Sequence, residues 1–199
     1  MSAAGTADSL PSRIETERLI LRPLTIADLE DVWAYASDPE VTRFTIFDYH
    51  TSRRTTQQWL ESALASSAGE NFLFGIEHRV DGRVIGSCAI RAWNREHNLA
   101  EMGWALARAF WNQGYATEAV RALIGFGFEH LKLNRIQALC VPAHLASRRV
   151  MEKAGMKFEG ILRQAEFFKG AYQDLALYSI LRQEHRRTEL ASKLTRFPV

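Results

Sequence analysis

Cysteine is scarce in this chain: Cys88 and Cys140 are the only two among 199 residues. Each lies inside an apolar run that reads as a strand, so a disulfide-stapled scaffold is excluded and two buried thiols in a reducing compartment are expected. Cys-x-x-Cys and His-x-x-x-His are missing, and the six histidines are scattered, so no protein-bound metal is expected. No apolar run reaches the roughly 18 residues that a membrane span needs. Met1 to Ile14 lack the basic start and apolar block of a secretory signal. Charge of one sign is lacking too: the net value is +2, too little for the basic field that nucleic-acid binding requires. These absences together suggest a cytoplasmic protein with no membrane partner and no specific nucleic-acid partner.

What is present suits one sizeable globular domain. Hydrophobic content of 47% and charged content of 24% are ordinary for such a domain. Residues 1–12 read as a small, polar lead-in, 13–184 as the domain, and 185–199 as a charged tail. The tail, taken from Arg182 onward, is expected to be mostly solvated.

Periodicity and turn residues divide the domain. Arg18 to Pro23 reads as a strand, and Thr25 with Asp28 as a cap for an amphipathic helix carrying Leu29, Val32, Trp33 and Ala36. Asp38-Pro39 should end that helix, and a second is expected from Thr51 to Ser67, ending near Gly69. Phe72 to Arg79 and Arg83 to Trp93 form a hairpin about Val80-Asp81-Gly82. Leu99 to Leu106 follows as an antiparallel strand. A helix from Thr117 to about Leu131 and a strand from Arg135 to Val141 complete a right-handed βαβ unit. Gly125 and Gly127 each cost that helix about 1 kcal/mol, tolerable if it packs close to a sheet. A short helix from Leu145 to Ala154 ends at Gly155, a position for a left-handed cap. Lys157 to Phe168 and Tyr172 to Leu181 make a last hairpin about Lys169-Gly170. The order β-α-α-β-β-β-α-β-α-β-β describes an α+β fold with a mixed sheet.

The strand ending at Leu106, the loop from Trp111 to Thr117 and the helix after it suggest a phosphate site. Backbone N–H groups and the positive end of the helix dipole converge there. Gly114 permits close backbone approach, Ala116 is small, and Thr117 could cap the first turn. An ordinary strand-to-helix connection would read the same way. The neighbouring words narrow the choice. Ala100-Glu101-Met102-Gly103-Trp104, then Phe110-Trp111-Asn112-Gln113-Gly114-Tyr115-Ala116-Thr117-Glu118-Ala119, then Ser147-Arg148-Arg149-Val150-Met151-Glu152-Lys153-Ala154-Gly155-Met156 occur in that order. Together they resemble the GNAT superfamily of acyl-CoA-dependent N-acetyltransferases, in its RimJ/RimL-like branch, from about Arg18 to Glu184.

That resemblance implies a central mixed, mostly antiparallel sheet with a V-shaped splay between its fourth and fifth strands and helices on both faces. Acetyl-CoA would be the co-substrate, with no metal. Trp104, Ala105 and Leu106 would offer main-chain bonds to the pantetheine, one N–H stabilising an oxyanion. Asn112, Gln113, Gly114, Tyr115, Ala116 and Thr117 would cradle the diphosphate. Arg108 could touch a phosphate or be a solvated loop charge. His144 stands where the branch implies an Asn. It could contact the cofactor, move a proton, or simply start a helix. Ser147 would lie near the cofactor sulfur and stabilise or protonate the leaving thiolate, while also suiting a helix N-terminus. Glu101 is the candidate general base, or else a strand-edge partner of an arginine. Glu118 would favour the helix dipole.

The expected reaction is direct attack by a primary amine in a ternary complex, with neither cysteine acting as nucleophile. An α-amine has a pKa near 7.7–8.0 against about 10.4 for lysine. At pH 7 roughly one α-amine in ten is neutral, against about one lysine amine in two thousand. A site without a strong base therefore suits a protein N-terminus. Other readings are a small amine (amino acid, antibiotic or polyamine), a non-catalytic coenzyme-A-binding or sensing domain, and, by branch analogy, a ribosome-associated factor. The acceptor groove would draw on Phe44 to Tyr49, Trp59, Trp93 and the Phe167-Phe168 to Tyr172 hairpin. The exposed edge of that hairpin allows a monomer or a homodimer.

Overall fold

Alternating burial along the strands shows which face of the sheet each residue serves. In the computed structural model, which describes residues 13–65 and 71–187, Arg135–Cys140 (β6) alternates half-buried and buried without a break. Leu99–Leu106 (β5) alternates as far as Met102 and then lapses. The other strands are Ile14–Glu15 (β1), Leu19–Arg22 (β2), Phe72–His78 (β3), Val84–Asn94 (β4), Lys157–Phe168 (β7) and Ala171–Leu181 (β8). They form one eight-stranded sheet in the order β1-β2-β3-β4-β5-β6-β8-β7. Every neighbouring pair is antiparallel except β5 with β6. The expected mixed, mostly antiparallel sheet is therefore present. The splay falls between β5 and β6, the expected fourth and fifth strands, because the two-residue β1 adds one to the count.

Helices cover both faces. Tyr115–Glu129 (α4) and Leu145–Lys153 (α5) share one side, where Val120, Leu123, Ile124 and Met151 join the main core with Ile90, Met102 and Ile136. Gly127 lets α4 sit close, since an added Cβ would crowd Ile136, Ile90 and Leu133. Gly125 has open space beside it, and nothing there requires glycine. Leu29–Ala36 (α1) and Arg53–Ala65 (α3) lie on the opposite side, where Val32, Tyr35 and Leu60 pack with Leu24 and Val84.

Several sequence expectations shift by a turn. The Asp28 carboxylate accepts from the Thr25 N–H at 2.7 Å and from the Arg22 guanidinium at 2.8 and 2.9 Å, so the capping pair also ties β2 to the helix. Asp38-Pro39 ends α1 but starts another helical turn, Pro39–Thr42 (α2). Its first N–H needs no partner because proline has none, and Asp38 accepts from the Glu40 N–H at 3.0 Å. α4 starts at Tyr115, so its cap is Gly114 at φ +85° and not Thr117. Residues 182–187 are helical, and Arg182 Nε donates to the Leu133 carbonyl at 2.7 Å. The start of the tail is thus docked on the domain rather than solvated. The lead-in 1–12, the end of the second helix at 66–70 and the tail from 188 lie outside the described residues. Among the described residues, no helix is long and apolar enough to cross a membrane.

Candidate active site

β5 and β6 run parallel for only three rungs, Leu99 with Arg135, Ala100 with Ile136 and Glu101 with Gln137. Beyond Glu101 they part, and β5 keeps only its β4 neighbour. Which β5 groups face the opening follows from the antiparallel ladder, in which bonded and non-bonded pairs alternate. The Ala107 N–H donates to the Ile85 carbonyl at 2.8 Å, and the register pairs Ser87 with Ala105 and Cys88 with Trp104. Ala105 therefore spends its main-chain groups on β4, whereas Trp104 and Leu106 turn theirs toward the splay. Leu106 is only half available, because the Trp111 indole Nε1 donates to its carbonyl at 2.7 Å. Of the three residues expected to offer main-chain bonds, Trp104 is the one fully open.

Sequence reading did not pick out Gly86, which makes this arrangement possible. A Cβ there would overlap the Ala105 carbonyl and lie 3.0 Å from the Leu106 Cα. The close approach of β4 to the end of β5 requires glycine.

The gap holds a cavity of about 400 Å³. Trp104 and Ala105 line it from β5, Cys140 from β6, His144 and Ser147 from the start of α5, and Phe44 and Phe47 from the loop after α2. His144 precedes α5 as its cap residue and stacks on Phe44 with ring centroids 4.6 Å apart. Burial lowers its pKa below the ordinary range, so it is neutral at pH 7 and can donate one hydrogen bond. Ser147 is buried and hydrogen-bonds the Cys140 thiol. Both free thiols are buried. Burial raises the Cys140 pKa, against the opposing effects of Ser147 and Arg148, and pushes Cys88 up to about 12. Neither is an activated nucleophile.

Glu101 does not line this cavity. Arg91, which does, donates to Glu101 Oε1 from Nε at 3.0 Å and from Nη2 at 2.5 Å. The strand-edge pairing with an arginine is thus what the structure contains. Arg108 likewise pairs with Asp38 at 3.0 Å and latches the loop to α2. Trp93 is drawn away from the acceptor side, against Phe72 and beneath Arg95. Phe167 and Tyr172 meet edge to face, centroids 5.1 Å apart, on the exposed hairpin tip. Lys169 ties that hairpin to the Phe47 carbonyl at 2.8 Å and to Asp48 at 2.6 Å.

The loop leaves β5 at the wide end of the splay. Asn112 at φ +60° and Gly114 at φ +85° bend it into α4, whose first N–H groups have no carbonyl one turn back to receive them. Tyr115 hydrogen-bonds His78 at 3.1 Å and so points toward β3, not over the loop. Gly114 and Thr117 border a second groove, of about 740 Å³, between the β1–β2 segment and α4. The larger groove lacks the splayed strands, so the smaller cavity is the candidate for chemistry.

A parted parallel pair with a glycine loop at its wide end meets its counterpart in known proteins. Residues 18–157 match the family model described as an acetyltransferase (GNAT) domain. The chain belongs to the GNAT family. Its relatives include the uncharacterized N-acetyltransferase p20 of Bacillus licheniformis, 35% identical over 85% of this chain and 96% of that protein. Among solved structures, a Bacillus anthracis GNAT acetyltransferase superposes with a TM-score of 0.77 at 30% identity, covering 86% of this chain and 99% of its own. A candidate ribosomal-protein-serine acetyltransferase from Vibrio cholerae gives 0.76 at 25% identity, covering 89% and 99%. This GNAT domain is an N-acetyltransferase, and its family uses acetyl-CoA.

The residues present fit that co-substrate. Trp104 leaves an unpaired main-chain donor and acceptor along the splay, the cavity walls are largely apolar, and the α4 N-terminus offers free amides beyond them.

Proposed function

We propose that this acetyltransferase acts on the α-amine of a protein or peptide N-terminus. The observation that carries the reading is the charge of the cavity. Among the described residues none that lines it is acidic, and Arg91 is its one strong cation. A polyamine would need carboxylates to hold its charges, and a lysine amine would need a strong base. An α-amine needs neither, because roughly a tenth of it is already neutral at pH 7. The likeness to the Vibrio cholerae candidate ribosomal-protein-serine acetyltransferase supports the same reading.

When bound, acetyl-CoA supplies a thioester whose acyl carbon is open to the amine. The chain's residues then divide the work. The Trp104 N–H, facing the splay, is the donor for the acyl oxygen as that oxygen gains charge. The Ser147 hydroxyl serves the departing sulfur, with the Cys140 contact fixing its direction. His144, neutral and stacked on Phe44, donates to the pantetheine in place of an amide side chain. Amides from Asn112 to Thr117 grip the diphosphate. Glu101, behind Arg91, works as a base through water.

The test mixes protein, acetyl-CoA and a panel of amines while following free thiol. N-terminal peptides should exceed lysine side-chain peptides, polyamines and single amino acids by tenfold or more. Faster turnover of a polyamine would sink the assignment. Tight coenzyme A binding with no thiol release on any amine would favour a sensing domain instead.

A further inference from the structure

We infer that Arg18 is a positioning residue for the loop from Asn112 to Thr117, locking it directly and through Glu118 from the segment that leads into β2. The inference rests on the loop being the diphosphate grip proposed above. Arg18 precedes β2, almost a hundred residues away in sequence, yet it meets the loop at two points and the first turn of α4 at a third. Its Nη1 donates to the Gln113 carbonyl at 3.0 Å. Its Nε donates to Glu118 Oε2 at 2.7 Å. Its guanidinium lies over the Tyr115 ring, 4.3 Å from the centroid.

Glu118 is held by the same segment through its other oxygen. Its Oε1 accepts from the Arg18 backbone N–H at 2.8 Å and from the Thr16 hydroxyl at 2.6 Å. Burial alone would raise the Glu118 pKa, but these donors outweigh it and hold the group ionised. Tyr115, under Arg18, is fixed in turn by His78 at 3.1 Å, and His78 by Asp81 at 2.7 Å. Arg18, Thr16, His78 and Asp81 thus clamp Gln113, Tyr115 and Glu118, the residues on either side of Gly114.

The clamp answers a physical need. Asn112 sits at positive φ, which costs free energy at a non-glycine residue, and Gly114, also at positive φ, is free to adopt many other conformations unless it is held. A loop that binds through main-chain amides gains affinity only if those amides already point at the ligand. A Cβ at Gly114 would stand 3.4 Å from Arg18 Nη2, so the guanidinium lies directly behind the turn. Arg18 fixes the amides, and its carboxylate partner leaves it little net charge to offer a phosphate.

The experiment compares acetyl-CoA with acetyl-pantetheine, which lacks the diphosphate. Arg18→Met and Glu118→Gln should each raise KM for acetyl-CoA on the order of tenfold, with KM for the amine and turnover of acetyl-pantetheine unchanged within about twofold. The double variant should be no worse than the worse single one, since both break one interlock. Arg18→Lys, which keeps the charge but not the fork, should lose most of the affinity too. It carries the test if Arg18→Met fails to fold.

Three results would overturn the inference: losses that multiply in the double variant, full recovery in Arg18→Lys, or an equal fall in acetyl-pantetheine turnover. Wild-type protein using both donors with the same KM would remove the diphosphate grip itself, and this inference with it. A wild-type preference for acetyl-CoA that survives every variant would remove the inference alone.

Discussion

At the scale of single residues, Glu101 is the position where the chemistry and the fold make competing claims. Its Oε1 is occupied by Arg91 and it stands outside the cavity lining, so the proposed base would have to act through water, and the variant that tests it is Glu101→Gln. Turnover at pH 7 should fall about tenfold, with the deficit shrinking toward pH 9 as the α-amine deprotonates unaided. A loss of the same size at every pH would return Glu101 to its ion pair. Gly114 makes a second test. At φ +85° an alanine is strained by roughly 1 kcal/mol or more and meets Arg18 as well. Gly114→Ala should therefore lower Tm by a few degrees and weaken coenzyme A binding more than its stability loss explains, as calorimetry on both would show. The placement of such residues was half legible in the sequence. The words around Gly114 and Ser147 marked segments that the fold brings to the turn into α4 and to the lining of the splay cavity. The parity that favours Trp104 over Ala105 depends on the register with β4, which no local pattern encodes.

At the scale of elements, β4 and β5 approach so closely that Gly86 has no room for a side chain. Gly86→Ala should destabilise the domain by several kcal/mol, as overpacking against backbone does, and urea titration should move its midpoint downward. Long elements were read well. β5 has the expected bounds, and the βαβ unit and both hairpins are present, because apolar periodicity and turn residues such as Asp81-Gly82 and Lys169-Gly170 act locally. Short elements were missed for the same reason. β1 is two residues that exist only through pairing with Leu21 and Ile20, and α2 depends on the reuse of Asp38-Pro39 as a start rather than a stop. The Arg18–Glu118 clamp was invisible too, since a hundred residues separate its halves.

At the scale of the whole molecule, shifted titrations set how the fold should respond to acid. Asp28 and Glu118 are held below their ordinary values by bonds that outweigh burial, and Glu159 is held at about 2 by Arg135 and Ser179. Each lowered carboxylate contributes stability above its unfolded pKa, which is lost as pH falls through the folded value. Burial also lowers His50 and His144. The unfolded chain takes up protons there first, and stability declines from about pH 6.5 downward. Tm should therefore be level between pH 7 and 8, slope gently below about 6.5 and fall steeply below about 4.5, as scanning calorimetry can follow. A Tm rising between pH 7 and 5 would contradict this account. The three rungs joining β5 to β6 carry a mechanical consequence. Every strand up to β5 lies on one side of that seam and β6, β7 and β8 on the other, with α4 and α5 bridging across. A molecule lodged in the cleft acts as a cross-brace, so acetyl-CoA should slow amide exchange on β6 and β8 together with β4, as one coupled body.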